Sequence, residues 1–255
     1  MNKFFNRLFA GVMSLAMVAG VVSAPANTAE AKEDLKGKLV VIHTNDVHGR
    51  YEKNDESLGM SSVKALKGYY QSQGAHVLLL DAGDFSQGTN LVNYYKGLDS
   101  VYFMNEAGYD AVSLGNHEFD FGFDALQEMA AAAEFPILDA NIINKETGEP
   151  YFGDNKVFEY SNMKVGVFGL DTPEAQTKAN PKNVKDINFL DDGELIACAQ
   201  AQVDELKAQD CDYIICLGHL GVDEESAGRR SADVAANVTG IDLFVDGHSH
   251  TRIDG

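Results

Sequence analysis

The sequence predicts an α/β domain, with two mixed sheets and helices on the outside. Three observations predict it. Short runs rich in Val, Ile and Leu recur along the chain, stretches of helical apolar spacing lie between them, and one polar segment carrying glycine and proline interrupts the alternation. At 255 residues the chain is long enough for one sizeable core, and one domain is the expectation. Alternation alone would equally permit a single doubly wound sheet; the interruption is what favours two.

The first segment lies outside that rhythm. Lys3 and Arg7 precede an uncharged run over residues 8–22, followed by small residues, the order of a secretory signal. Residues 1–31 are therefore expected to form a signal and processing region, with Ala24, Ala26 and Ala31 as cleavage positions, and residues 32–255 the exported domain. The apolar run falls short of a membrane span, so no stable membrane insertion is expected after cleavage. The mature protein is placed outside the cytoplasm: secreted, at the cell surface or in a periplasm.

Within the domain, strands are predicted over residues 39–44, 76–80, 111–114, 136–140, 164–170, 213–217 and 243–245, each short and several rich in Val or Ile. Helices are predicted over residues 61–73, 91–107, 123–133, 193–209 and 229–237 from their spacing. Residues 144–162 carry Gly148, Pro150 and Gly153 among polar side chains, which predicts turns and an antiparallel hairpin.

Composition excludes some functions. A formal net charge of -19 disfavours any role that depends on neutralising a nucleic-acid backbone or adhering to an anionic membrane, whereas bound cations would let an acidic protein hold a small anion. Cys198, Cys211 and Cys216 form neither a disulfide framework nor a metal-type pair; they read as mostly buried thiols, with a Cys198–Cys211 bridge as the alternative.

Five glycine-containing segments stand at or just beyond predicted strand ends, where α/β proteins place their sites. They are Asn45-Asp46-Val47-His48-Gly49, Asp81-Ala82-Gly83-Asp84, Gly115-Asn116-His117-Glu118-Phe119-Asp120, Leu217-Gly218-His219-Leu220-Gly221 and Asp246-Gly247-His248-Ser249-His250. Five of the seven histidines lie in them, a concentration that a metal site explains and independent surface roles do not. In an extended chain Asp46 and His48 would share a side, as would His248 and His250, unless a bend at Gly247 sends that second pair to two neighbouring ions. Gly83 would let the chain turn and present Asp84, and Gly115 would do the same for Asn116. This mixture of carboxylate, amide and imidazole suits zinc, manganese or iron. His43 and His76 read as ordinary polar residues. Glu118 and Asp246 stay ambiguous between supporting acceptor and solvated side chain.

In this order the motifs resemble the calcineurin-like metallophosphoesterases. The Asn116–Asp120 segment, preceded by Gly108-Tyr109-Asp110-Ala111, is similar to their 5′-nucleotidase branch, which includes UDP-sugar hydrolases and cyclic nucleotide phosphodiesterases. The resemblance implies a four-layer α/β/β/α sandwich. It implies two divalent metal ions, zinc or manganese: one held by Asp46, His48, Asp84 and His250, the other by Asp84, Asn116, His219 and His248. His117 and Asp120 would form a catalytic pair outside both shells. The implied reaction is hydrolysis of a phosphate ester, most naturally a nucleoside 5′-monophosphate, with the cations activating water and His117 stabilising charge on the phosphoryl group. A small-molecule nucleotide is then the expected partner. Cyclic nucleotides and UDP-sugars are alternatives, and a non-catalytic metal-binding protein or inactive fragment is the reading of another class. Arg50 and Arg252 are expected to be solvated. Family enzymes continue with further strands and a nucleotide-recognition domain, so an incomplete second sheet and the absence of that domain are also expected.

Overall fold

The computed structural model describes residues 34–55 and 57–252; the export segment read over residues 1–31 lies outside them. β1 (Leu39–Thr44) leads through α1 (Met60–Ser72) to β2 (His76–Ala82), and α2 (Asn90–Tyr94) and α3 (Leu98–Ala107) lead to β3 (Ala111–Ser113). A 3-10 turn over Asn116–Phe119 precedes α4 (Phe123–Ala132), then β4 (Ile142–Asn144), β5 (Asn155–Glu159) and β6 (Lys164–Asp171). The chain continues through α5 (Ala175–Lys178), β7 (Ile187–Phe189), α6 (Asp192–Ala208), β8 (Tyr213–His219), α7 (Ser231–Asn237) and β9 (Leu243–Val245).

One sheet has the order β1-β2-β3, all parallel, and the other β5-β6-β8-β9, in which β5 runs antiparallel to β6 and the rest are parallel. The expected hairpin is the β5-β6 pair, and the mixture of strand directions is confined to this second sheet. A two-stranded ribbon, β4-β7, was not foreseen.

The strand period of two builds the layers. In β2, Leu79 faces a cluster with Val101, Met104, Leu126 and Met129, while Leu78, Leu80 and Ala82 face the opposite way. That second face packs directly against Val165, Val167, Ile215, Leu217 and Val245 of the other sheet. The far side of the second sheet, including Phe168, Leu170, Ile214 and Cys216, is covered by Leu195, Ala199, Val203 and Leu206 of α6 and Val234 of α7. Helices, sheet, sheet, helices is the α/β/β/α order expected.

Two expectations fail for local reasons. Residues 136–140 form no regular strand: Leu138 N donates to Val112 O, Asp139 N to Gly153 O and Ala140 N to Gly169 O, so the segment steps from one sheet to the other instead of laddering along either. The helix predicted over residues 91–107 breaks where Lys96 and Gly97 adopt φ of 53° and 84°. α6 conforms well: Asp191 caps it, Asp192 and Glu194 occupy its positive end and Lys207 its negative end. The three cysteines are free, with Cys216 buried and the other two half-buried.

Candidate active site

The five motif segments converge because β1, β2, β3, β8 and β9 end at one edge of the sandwich, all pointing the same way within their sheets. Asp46 and His48 follow β1, Asp84 follows β2, Asn116 follows β3, His219 closes β8, and His248 and His250 follow β9. Asp46 N donates to Gly83 O at 3.0 Å and His48 N to Asp84 O at 2.9 Å, continuing the β1-β2 pairing into the loops.

The convergence does not come from extended backbone, as the spacing suggested. Asp46, His48, Asp84, His248 and His250 have φ of 49°, 48°, 59°, 78° and 51°. Left-handed backbone costs an ordinary residue on the order of 1 kcal/mol or more, and five of the eight non-glycine residues in it among the described residues lie in these motifs. Gly83, at φ 87°, makes the turn expected of it. Gly115 does not, since its φ is -125°; it is glycine because a Cβ would come within 2.6 Å of His219 Nε2 and strike the Asp84 carboxylate.

Asp46, His48, Asp84 and His250 place ligand atoms within 4.8 Å of one another, and Asp84, His219 and His248 form a second such group. The two histidines of the last motif thus diverge to different groups, and Asp84 belongs to both. Ring tautomers support a cation at each. His48 Nδ1 donates to Gln87 O at 3.2 Å and His219 Nδ1 to Ala82 O at 2.5 Å, which leaves both Nε2 atoms as lone-pair donors. His48 Nε2 then meets His250 Nε2 at 3.2 Å, and His219 Nε2 meets Asp84 Oδ2 at 3.1 Å without hydrogen-bond geometry. Asn116 Oδ1 is buried with no hydrogen-bond partner. Electron-rich atoms facing one another, at a buried group around His219 and at a group that opens to solvent at His250, are what divalent cations satisfy.

His117 joins neither ligand group. Its backbone N donates to Asp84 Oδ1 at 3.0 Å, and its Nδ1 donates to Asp120 Oδ2 at 2.7 Å. That hydrogen bond raises the His117 pKa above the ordinary value, against the effect of burial. His117, Asp84, Asn116 and His248 line one cleft of about 330 Å³.

Glu118 proves to be fully buried. It accepts from the backbone N–H groups of Asp84, Phe85, Ser86 and Gly115 and from Ser86 Oγ, at 2.7–3.0 Å, tying the β2 and β3 loops together. Burial, with the Asp84 charge adding, raises its pKa to about 7. Asp246 accepts from Leu220 N and Gly221 N and so fixes the His219 loop. His76 stacks on Tyr160 and bonds Asn162, His43 joins neither ligand group, and Arg50 is exposed, as expected. No motif had pointed to Glu174 and Lys178, an i,i+4 pair that reaches His248.

The family model for calcineurin-like phosphoesterase matches residues 39–252. A 5′-nucleotidase of Diplobatis ommata is 35% identical over 84% of this chain and 38% of its own length, and one of Vibrio vulnificus is 35% identical over 94% and 44%. The crystal structure of a 5′-nucleotidase precursor from Thermus thermophilus is similar with a TM-score of 0.71 and 32% identity, over 84% of this chain and 42% of that one. The chain spans less than half the length of these relatives.

Proposed function

This chain belongs to the calcineurin-like phosphoesterase family, and we propose on that basis that it hydrolyses phosphate esters, with nucleoside 5′-monophosphates as its substrate class. One observation carries the reading: two ligand groups share Asp84, and a separate His117–Asp120 pair opens on the same cleft. A pure metal binder would have no use for that pair. The names of the relatives support the nucleotide class over cyclic nucleotides or UDP-sugars.

Asp46, His48, Asp84 and His250 would hold one divalent cation, and Asp84, Asn116, His219 and His248 the other, with zinc or manganese suited to the donor set. Such cations, when bound, neutralise phosphate oxygens and make water a better nucleophile at neutral pH.

The protein's own groups do the rest. Asp120 fixes the His117 ring through Nδ1, so that Nε2 carries a proton when the ring is charged and can donate it to a phosphoryl or leaving-group oxygen. Glu118 holds the backbone from which Asp84 and Asn116 project, so the ligand positions are set before substrate arrives. Residues 1–31 carry the reading of export, and among the described residues no helix is long and apolar enough to cross a membrane.

The test is a phosphatase assay on AMP and on an aryl phosphate, with zinc or manganese supplied and then removed by chelation. Metal-dependent release of phosphate is expected. Metal binding without turnover of either ester would refute the reading.

A further inference from the structure

Lys178 is the one lysine or arginine among the described residues that line the cleft. Its Nζ lies 2.7 Å from Glu174 Oε2 and 3.2 Å from His248 Nε2, and its side chain is 51% exposed. Glu174 is itself anchored: its other oxygen accepts from Ser226 Oγ at 2.6 Å, and its side chain is only 12% exposed. Glu174 Oε2 also lies 3.1 Å from His248 Nε2.

These contacts compete for one nitrogen. His248 Nε2 can donate to the Glu174 carboxylate or accept from the Lys178 ammonium, and it cannot do both. Accepting would put the ring proton on Nδ1; donating leaves Nδ1 with its lone pair for a cation, the usual arrangement of a carboxylate behind a metal-binding histidine. In that state Lys178 keeps its bond to Glu174 and has two N–H groups left, at the exposed end of a side chain beside the cleft. An anion entering needs such a group. The chain carries a net charge of -19, and Asp84 and Asp223 line the same cleft.

We propose that Lys178 is a phosphate-binding residue of this cleft, held in place by Glu174 and acting in capture of the phosphoryl group rather than in its cleavage. The proposal rests on the phosphate-ester reading above. A lysine there acts as a point charge with flexible reach, suited to a phosphate oxygen.

The experiment compares metal-loaded wild type with Lys178→Met and Lys178→Arg. Calorimetric titration with inorganic phosphate gives Kd, AMP hydrolysis gives KM and kcat separately, and elemental analysis gives bound metal. Lys178→Met should weaken phosphate binding and raise KM by roughly tenfold each, about the effect of one charge-assisted hydrogen bond. Its kcat should stay within about threefold, its metal content should match wild type, and Lys178→Arg should recover most of the loss. An unchanged phosphate Kd in Lys178→Met overturns the proposal. So does loss of metal in that variant, which would make Lys178 only a support for Glu174. Lys178-dependent phosphate binding in a wild type that hydrolyses no ester would uphold this inference while refuting the proposed reaction.

Discussion

His117 and Asp120 sit three residues apart at the 3-10 turn after β3, and Nδ1 of His117 donates to Oδ2 of Asp120 at 2.7 Å. The pair reaches the cleft without belonging to either group of ligand atoms. The proposed reaction therefore predicts that turnover and metal retention are separable by mutation.

His117→Asn should keep its metal and lose turnover by on the order of 10²–10⁴-fold, the range for a positioned proton donor. Steady-state kinetics beside elemental analysis checks this. Metal loss in His117→Asn equal to that in Asp84→Ala would show that the roles are not distinct.

Asp84→Ala should lose both cations, because Asp84 alone stands in both ligand groups. Retention of one full equivalent after dialysis would mean that a single group suffices, and that Asp84 does not bridge.

Chelation should lower the melting temperature, since a cation that binds only the folded state stabilises it. At a free metal concentration about 100 times Kd the gain is about 2.7 kcal/mol, or roughly 5–10 °C for a domain of this size. Identical melts with manganese, with zinc and with chelator would contradict the reading of buried, mutually facing donors.

Glu118→Ala should destabilise even the metal-free protein by about 3 kcal/mol or more, because four backbone N–H groups lose their acceptor at a fully buried position. Urea denaturation in chelator measures it. A change under about 1 kcal/mol would mean that water replaces the carboxylate there.

Gly169→Ala should be among the most damaging small substitutions in the chain. A Cβ on Gly169 would overlap the Leu138 carbonyl where residues 136–140 pass against the second sheet. Failure to fold, or a loss of about 3 kcal/mol, is expected at this site of overpacking; a wild-type melt would show that the two segments separate easily.

The strand ends at which the candidate ligand side chains gather, the identity of the residues there, and the alternation of strand and helix were all legible in the sequence. These are local properties: periodicity, glycine at turns, and side chains able to bind metal within a few positions of one another. The hairpin that became β5 and β6 was legible for the same reason. Less visible was how neighbours in sequence meet. Asp46 and His48 converge through left-handed backbone, not strand alternation, and His248 and His250 part company for different ligand groups. Residues 136–140 look like a strand by composition but divide their hydrogen bonds between two sheets.

Partners that lie far away along the chain emerged only from packing. Glu118 could be a solvated carboxylate until four N–H groups from two loops are seen to close around it. Glu174 and Lys178 carry no motif; they gain meaning because β6 ends beside β8, whose other neighbour is β9, and α5 follows β6 to meet His248 beyond β9. A side chain's chemistry is written in the sequence, but its charge state, its partners and the cleft it faces depend on burial and on contacts between distant segments, which the folded chain alone creates.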